Sequence, residues 1–501
     1  MVTANKAWLG IDLGTQSVKV VAVSNDGDIL ARHTEPLAST RDGRLHEQSP
    51  ERWVEATTQC LRQVTHALSP DIHIAGLSTC ATSGTIAIAD SQTGSVRPTA
   101  VMYDDTRGHE FTARVNDAGR ETWSRLGYTM QDSWALPAML WWNSVEPLTG
   151  RDVFITQADV IHWLLGGPGL PSDSSHTLKA GFDLDTLDWP SDVLATVGLD
   201  RLLLNDVVPP GSVIGSVTSA ASRQTGLPEG TPIIAGMTDG SAAQIAAGAV
   251  GPGRWNSVLG TTLVLKGSSP ARHTDPSGSI YCHLGPFGSG WWPGGASNTG
   301  TLALNNILPT EHLDTFPLTP EIIRDTPVNY PLTGVGERFP FVQRDATGFT
   351  VDESGLDPGA DSTRLFASVA LGVSLVERLA FDVVSQAGYV VDGPISLTGG
   401  GSTNVQWNQL RATVMQRSCQ VPRNTDGAVG MAILARAGIE AHSAEDFDAI
   451  VSSMVTVDST LTPDLALKNV VDSKYAIFID QLQARGWIDP MLAHYAKDNH
   501  R

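Results

Sequence analysis

Residues 8–32, WLGIDLGTQSVKVVAVSNDGDILAR, predict a strand, a tight turn, a second strand, another tight turn and a third strand. Apolar residues alternate with small or polar residues on both sides of the first turn, as in half-buried strands. The Asn-Asp-Gly-Asp sequence at 25–28 is a turn signal before the third strand. The stretch therefore opens the chain with strands joined as hairpins.

The first of these turns, Gly14-Thr15-Gln16-Ser17, carries the chemistry of the stretch. Asp12 places a carboxylate at the end of the preceding buried strand. Glycine allows a ligand to approach the backbone, and a turn of backbone N–H groups can hold a phosphate. Taken alone, such a turn is as often an ordinary hairpin turn as a functional one, so its role depends on the rest of the chain.

Length and composition narrow the class of protein. A chain of 501 residues is too long for one ordinary core, so two large domains are expected. The formal net charge of −20 argues against a nucleic-acid-binding surface, and an anionic substrate would need local donors or a cation to offset it. The four cysteines form no CxxC pair, and neither a signal peptide nor a membrane-spanning apolar run is evident. These features predict a cytoplasmic protein with reduced thiols.

A second informative stretch is TPIIAGMTDGSAA at 231–243, where a buried strand ends in Asp239 and a helix rich in alanine follows. Asp239 has two interpretations. It can be the N-cap of the helix, which is a structural role, or a general base aimed by the strand end at a substrate. Considered in isolation, the cap is favoured.

The hairpin pattern returns near the middle of the chain. Residues 254–265 read as an apolar strand, Leu-Gly-Thr at 259–261, and a second apolar strand, which echoes Leu-Gly-Thr at 13–15. As a repeat the match is short and weak. Two halves that each begin with a Gly-Thr turn suggest a duplicated fold with a nucleotide in between.

Two further loops are candidates for ligand contact. Residues 395–404, ISLTGGGSTN, are a strand ending in three glycines before a helix, which suits a ribose, a base or a phosphate. The hydroxyl-rich loop at 79–85, TCATSGT, suits a polyol, although a solvated turn is the commoner explanation. The small-residue helix that follows Asp426 is expected to pack under the glycine run. The proline-rich residues 307–348 are expected to be a surface excursion.

The ordered set of motifs resembles the FGGY carbohydrate kinase family over nearly the whole chain. The motifs are GIDLGTQSVK, HEQSPERW, GMTDGSAAQIAAGAVGPG, SVLGTTL, ALGVSLVERLAF, LTGGGSTNVQWNQLRA and DGAVGMAILA. The resemblance implies an α/β fold of two ribonuclease-H-like (actin and hexokinase-type) domains, with sugar and ATP meeting in the cleft. Residues 1–245 would bind the sugar and supply the catalytic base, and residues 246–501 would bind ATP. The family transfers the γ-phosphate of MgATP to a sugar or polyol hydroxyl.

The resemblance also assigns roles to residues. Asp239 would be the catalytic base that accepts the proton of the attacking hydroxyl, and Asp12 would hold that hydroxyl or the magnesium water shell. Asp12 and Asp239 are thus both substrate and Mg²⁺ candidates, and domain closure would exclude water. The residues expected to contact ATP are Gly14, Thr15, Gln16, Gly260, Thr261, Thr262, Gly399, Gly400, Gly401 and Asn404.

The acceptor sugar is less closely defined. The loop at 79–85 lacks the Met-His pair usual in xylulokinases, and its ATSGT sequence, with MYDDTR at 102–107, is more like pentulose kinases that prefer D-ribulose. In that subgroup a loop serine contacts the sugar, which here is Ser83. The expected reaction is phosphorylation of D-ribulose or D-xylulose to its 5-phosphate, with glycerol, gluconate or a hexulose as alternatives. A non-catalytic actin-like sugar sensor is the alternative of another class, and a homodimer is possible because dimers are common in the family.

Overall fold

The computed structural model describes residues 5–146, 148–275, 277–305, 316–351 and 362–498. In chain order the strands are β1 (Asn5–Leu13), β2 (Ser17–Ser24), β3 (Ile29–Pro36), β4 (Thr40–Asp42), β5 (Leu45–Gln48), β6 (Ile72–Ala81), β7 (Ile86–Asp90), β8 (Ala100–Val101), β9 (Asp152–Thr156), β10 (Ser172–Asp173), β11 (Val207–Val208), β12 (Val213–Ser216), β13 (Pro232–Ile234), β14 (Trp255–Leu259), β15 (Leu263–Gly267), β16 (Tyr281–Leu284), β17 (Trp291–Ala296), β18 (Asn329–Tyr330), β19 (Phe349–Thr350), β20 (Ile395–Thr398), β21 (Cys419–Pro422) and β22 (Val457–Leu461).

The helices are α1 (Pro50–Ala67), α2 (His109–Ala118), α3 (Arg120–Leu126), α4 (Ala135–Val145), α5 (Gln157–Gly166), α6 (Ser174–Thr177), α7 (Ser191–Val197), α8 (Ser219–Thr225), α9 (Asp239–Ala246), α10 (Leu302–Asn305), α11 (Pro320–Asp325), α12 (Ser362–Gln386), α13 (Val405–Met415), α14 (Gly427–Glu440), α15 (Ala444–Met454), α16 (Lys468–Ala484) and α17 (Pro490–Asp498).

The chain divides into two compact units. The first consists of Met1–Gly248, His283–Trp291 and Asn424–Thr456, and the second of Ala249–Cys282, Trp292–Arg423 and Val457–Arg501. Relative to the division expected at 245/246, the first unit also includes residues 246–248 and the two later segments His283–Trp291 and Asn424–Thr456.

The main sheet of the first unit has the strand order β12-β13-β6-β1-β2-β3. The strands β1, β2 and β3 are antiparallel neighbours, as the opening stretch predicts, and β6 runs parallel to both β1 and β13. A second sheet has the order β4-β5-β8-β7-β9. Because β1, β6 and β13 are parallel, their carboxyl ends lie at the same edge of the sheet.

The second unit repeats this arrangement. Its sheet contains, in order, β17-β15-β14-β20-β21-β22, in which β14 is antiparallel to β15 and parallel to β20. The hairpin β14–β15 thus corresponds to β1–β2, and β20 corresponds to β6. The weak Leu-Gly-Thr echo marks a repeated topology, and the α/β fold of two related units is confirmed.

The helix α14 does not lie where the sequence suggested. It was expected under the glycine run at 399–401, but it packs in the first unit against β1, β6 and α9. Two glycines explain the contact. A Cβ atom on Gly10 of β1 would lie 1.7 Å from the Ala428 carbonyl oxygen, and one on Gly430 would lie 2.0 Å from that of Ala242. Their absence allows the backbones to approach closely.

The proline-rich segment is also corrected. Residues 307–315 lie outside the described residues, but residues 316–348 are not a surface excursion. Tyr330, Phe339 and Phe341 are buried, and Tyr330 and Phe341 belong to the hydrophobic core of the second unit. The segment therefore completes that core.

Two local features complete the first unit. Residues 154–156 end the strand β9, and α5 begins after a capping box formed by Thr156 and Asp159. Asp105 and Arg107 form a buried ion pair that Glu47 joins. Within the described residues, no helix is both long and apolar enough to cross a membrane.

Candidate active site

Asp12 lies near the carboxyl end of β1, at the edge of the first unit's sheet where the parallel strands end. Its register partners are Lys19 on β2 and Cys80 on β6. The N-terminus of α14 covers it, because a Cβ atom on Gly427 would lie 3.2 Å from both the Asp12 Oδ2 atom and the Cys80 sulfur. The carboxylate is thus held in a narrow space formed by two strands and a helix end.

A second carboxylate, Asp426, lies close to Asp12. Asp426 is the N-cap of α14, where its Oδ1 accepts the Ala428 N–H at 3.0 Å. Its Oδ2 accepts a hydrogen bond from the Lys19 ammonium, which is a partly buried ion pair. Lys19 therefore provides a positive charge on the strand next to Asp12. No sequence pattern indicated this pair.

The electrostatic environment of Asp12 is unusual. Burial, together with the negative charges of Asp426 and Asp239, raises the pKa of Asp12 to about 7, and Lys19 opposes this rise. Burial and the same carboxylates raise the pKa of the Cys80 thiol well above its ordinary value, so it stays a neutral thiol. A cation bound here would be favoured, because it relieves the repulsion between the carboxylates.

The position of Asp239 tests one of its two interpretations, the role of N-cap. The N-cap of α9 is Thr238, and Asp239 is the exposed first residue of the helix. Its carboxylate accepts the neighbouring Gly240 N–H at 2.6 Å. Because Thr238 forms an isolated bridge with Ala81 at the end of β6, Asp239 follows the strand end on one side of β6, and Asp12 lies at the strand end on its other side. Asp239 is thus not the N-cap of α9, its carboxylate is exposed, and its role as general base stays a prediction.

Thr238 is held by a chain of hydrogen bonds that reaches a distant part of the sequence. Its N–H donates to the Ser175 Oγ at 3.2 Å, and the same hydroxyl lies 3.2 Å from the His283 Nδ1. The segment that carries His283 is anchored in the first unit by Phe287, whose ring contacts Phe447. These contacts fix the backbone immediately before Asp239.

The turn 14–17 is fixed from one side. The Gly14 N–H donates to the Ser17 carbonyl at 3.0 Å, and Gln48 donates from its amide nitrogen to the Thr15 carbonyl at 2.6 Å. Gln48 is itself oriented by Trp53, whose indole N–H donates to its amide oxygen at 2.6 Å. The spacing of Gln and Trp in HEQSPERW is thereby explained.

Glycine at position 14 is not required by the protein itself. Its φ lies outside the left-handed region, and a Cβ atom added there would have its nearest neighbour, the Ser17 carbonyl oxygen, at 3.4 Å.

Tyr103 is a neighbour of the turn that no sequence pattern indicated. Its hydroxyl is hydrogen-bonded to Thr15, while burial and the charge of Asp104 raise its pKa. A neutral phenol next to this turn can donate to a substrate oxygen.

Ser83 lies in the loop after β6, and its hydroxyl is buried without a hydrogen-bond partner among the described residues. Its carbonyl accepts from Lys179 at 3.0 Å. The neighbouring Thr82 is satisfied internally, since its hydroxyl donates to Gln157 at 2.6 Å. In the stretch 79–85, Ser83 and Thr79 thus have buried hydroxyls without a described partner, and Ser83 is the one that lies beyond the end of β6.

In the second unit, the turn between β14 and β15 has the position that the first turn has between β1 and β2, and it is one residue shorter between the paired strands. The Gly260 N–H donates to the Thr262 carbonyl at 3.0 Å, and the side chain of Thr261 is exposed. A Cβ atom on Gly260 would have its nearest neighbour, the Thr262 carbonyl oxygen, at 3.7 Å. This turn also leaves one side open for a ligand.

The glycine run follows β20, parallel to β14 in the same sheet. Gly399 has φ +83°, and a Cβ atom there would lie 2.6 Å from the Leu259 carbonyl oxygen, so this glycine is required by the fold. Gly401 is restricted by the Leu259 side chain, whereas Gly400 has no atom within 4 Å of such a Cβ. Asn404 is the N-cap of α13 and accepts the Trp407 N–H at 2.9 Å. Only Gly400 of the run thus faces open space.

The carboxylates at this edge of the sheet supply oxygen ligands, which Mg²⁺ requires. Among the described residues, no group of three or more His, Cys, Asp or Glu side chains is arranged to hold a metal ion. Magnesium is usually bound through one or two carboxylates, with waters and substrate phosphates completing its shell. Asp12 and the exposed Asp239 fit that requirement and do not fit a metal held by protein ligands alone.

Two models of known protein domains match this chain. Residues 7–246 match the N-terminal domain of the FGGY family of carbohydrate kinases, and residues 277–438 match its C-terminal domain. A xylulose kinase of Staphylococcus epidermidis is 24% identical over 489 residues, which cover 94% of this chain and 95% of that protein.

Solved structures agree in fold. The xylulose kinase of Rhodospirillum rubrum superimposes with a TM-score of 0.83 at 24% identity and covers 97% of this chain and 99% of its own. The gluconate kinase of Lactobacillus acidophilus gives 0.82 at 19% identity, covering 98% and 99%. The two matched domains, with the carboxylates and glycine turns described above, show that this chain belongs to the FGGY family of carbohydrate kinases.

Proposed function

We propose that this carbohydrate kinase phosphorylates a pentulose, D-ribulose or D-xylulose, at its terminal hydroxyl, with Asp239 as the catalytic base. The observation that carries the proposal is the placement of Asp239. It is exposed at the first position of α9, it is not the N-cap, and its charge contributes to the raised pKa of Asp12. Two carboxylates, one half-buried and one exposed, therefore lie at the carboxyl ends of β1 and β13, the two strands that flank β6.

Each carboxylate has a distinct task in this proposal. Asp239 accepts the proton of the sugar hydroxyl as that oxygen attacks the γ-phosphorus, and the bond to the β-phosphate oxygen breaks in line. Asp12 orients the same hydroxyl. Mg²⁺, held by Asp12 and Asp239 through its waters, would neutralise charge on the transferred phosphoryl group. In the first unit the turn 14–16 donates to that group.

The second unit would hold the nucleotide. Gly260, Thr261 and Thr262 offer a turn with an open side and an exposed hydroxyl to the phosphates. The run 399–401 follows a parallel strand end, and Gly400 leaves room for adenosine. Asn404 would line the same side, although its amide oxygen is already engaged as an N-cap.

The proposed class of acceptor sugar is argued from a residue of the first unit, Ser83. The hydroxyl of Ser83 is buried and unpartnered within the described chain, so a sugar hydroxyl can hydrogen-bond to it. The named relatives include xylulose and gluconate kinases, so pentuloses, hexuloses, gluconate and glycerol are all rational test substrates.

The test is ADP release with this panel of sugars, for wild type and Asp239→Asn. We expect turnover of a pentulose by wild type, and loss of at least about a hundredfold in kcat for the variant with sugar binding retained. Asp192→Asn, an exposed aspartate in the first turn of α7, is the matched control and should remain active. Ordinary turnover by Asp239→Asn would exclude its role as base. Sugar and nucleotide binding without any turnover in wild type would instead support a sensor.

A further inference from the structure

Glu337 is a buried carboxylate in the segment that the sequence suggested to be a surface excursion. Its side chain is 3% exposed. On Oε1 it accepts the backbone N–H groups of Asn298 at 2.7 Å and of Arg338 at 3.0 Å. On Oε2 it accepts the hydroxyls of Ser297 at 2.8 Å, Tyr330 at 2.8 Å and Thr299 at 3.3 Å.

Three of these five donors belong to residues 297–299. A buried carboxylate is costly unless its oxygens are hydrogen-bonded, and it can only accept, so it orients every donor around it. Removing the carboxylate would leave the buried hydroxyls of Ser297 and Tyr330 and the partly buried Asn298 N–H without this acceptor, which carries a desolvation penalty. Glu337 therefore fixes the path of residues 297–299.

The segment 297–299 is in turn joined to the hairpin β14–β15. The Ser297 N–H donates to the Leu263 carbonyl at 2.8 Å, and the Leu263 N–H donates to the Thr299 carbonyl at 2.8 Å. This pair of bonds begins directly after Thr262.

The next residues contact the turn itself. The Thr301 N–H donates to the Gly260 carbonyl at 2.9 Å. A Cβ atom on Gly300 would lie 2.5 Å from the Thr261 carbonyl oxygen, so the two backbones touch. On this side, the turn 260–262 cannot move unless residues 299–301 are displaced.

We propose that Glu337 is a positioning residue for the phosphate turn Gly260–Thr262, acting through residues 297–301. The inference rests on the phosphate role proposed above for that turn. Glu337 itself does not touch the nucleotide. It holds the segment against which the turn is built, so the turn is ordered before the phosphate arrives, which lowers the entropic cost of binding.

The variants are Glu337→Gln and Ser297→Ala, with Tyr330→Phe as the matched control. Tyr330 donates to the same carboxylate oxygen as Ser297, but it lies on β18 and outside the segment 297–301. Loss of its hydroxyl removes one hydrogen bond from Glu337 and leaves the bonds to residues 297–299 in place. A general loss of stability around Glu337 would affect all three variants alike.

Two readouts are needed. The first is hydrogen–deuterium exchange of the ligand-free protein in peptides that span 260–263 and 297–301. The second is steady-state kinetics with separate KM values for ATP and sugar. For Glu337→Gln and Ser297→Ala we expect exchange in both peptides to rise by about tenfold, with a similar rise in KM for ATP and an unchanged KM for sugar. Tyr330→Phe should match wild type in both readouts.

The two readouts separate this inference from the function on which it rests. Faster exchange with an unchanged KM for ATP would support positioning by Glu337 and exclude the phosphate role of the turn. Unchanged exchange in both peptides would overturn the inference, as would a Tyr330→Phe variant that behaves like Glu337→Gln. If Glu337→Gln does not fold, Ser297→Ala carries the test, since it removes a single hydroxyl.

Discussion

Replacing Asp12 by asparagine should stabilise the ligand-free protein while it removes activity, and the gain should depend on pH. Burial, reinforced by the charges of Asp426 and Asp239, raises the pKa of Asp12 from 3.8 to about 7. Between these two values the folded chain keeps a proton that the unfolded chain has released. The stability of the wild-type protein therefore falls as the pH rises through this range.

The size of the effect follows from the pKa. Each pKa unit corresponds to about 1.4 kcal/mol, so the raised pKa of Asp12 costs about 4 kcal/mol at pH 8, where the folded carboxyl is ionised, and about 2 kcal/mol at pH 5, where it must keep its proton. Below the unfolded pKa both states are protonated and the cost disappears. Asparagine occupies nearly the same volume and carries no charge, so Asp12→Asn should recover most of this free energy of unfolding.

Scanning calorimetry of protein freed of nucleotide and divalent cations measures the effect between about pH 5 and about pH 8. The melting temperature of Asp12→Asn should exceed that of wild type by a margin that widens with pH. Asp26→Asn, in the exposed turn after β2, is the control and should show little change. A margin that is constant or narrows with rising pH would refute the conclusion that an ionised Asp12 strains this site.

Three further predictions concern single atoms. Gly430→Ala places a Cβ 2.0 Å from the Ala242 carbonyl oxygen, so it should destabilise the first unit by about 3 kcal/mol or more, seen as a lower melting temperature. Gly14→Ala meets nothing closer than 3.4 Å, so stability should change by less than about 0.5 kcal/mol while kcat/KM for ATP falls, and unchanged kinetics would remove this turn from the phosphate site. Ser83→Ala removes a buried hydroxyl without a described partner, so the protein should unfold at the same temperature or higher, and KM for the sugar alone should rise.

The parts of the fold that the sequence predicted are those encoded by neighbouring residues. The hairpin β1–β2–β3 and the strand that ends before Gly399 follow from local alternation and glycines. The pairing of β14 with β15 also followed from such signals. These patterns need no knowledge of distant contacts, so they can be read from one sequence.

In contrast, the contacts that complete the site join residues that are far apart in the sequence. Lys19 and Asp426 are 407 positions apart, and nothing in either local sequence indicates the pair. The acidic residue at 426 was interpreted only as the start of a small-residue helix. Since Gly10 and Gly430 each carry no local signal beyond being glycine, the placement of α14 against β1 was equally hidden.

Asp239 shows where sequence patterns leave alternatives open. An aspartate that begins a helix after Gly-Met-Thr is compatible with a cap one position earlier or later. The structure places the cap at Thr238, and the reason is again distant, because Ser175 and His283 hold the Thr238 backbone in place. A shift of one residue separates a structural carboxylate from one that is available to a substrate.

The two glycine turns show how a repeated local signal acquires separate supports. Both turns leave open space beside the glycine, although the Gly14 N–H donates to the carbonyl three residues later and the Gly260 N–H to the carbonyl two residues later. Their anchors are unrelated: Gln48 holds the first turn, and the Glu337-bound segment 297–301 holds the second. The repeated sequence therefore marks the place of each turn, while its rigidity depends on residues that only the folded chain brings to it.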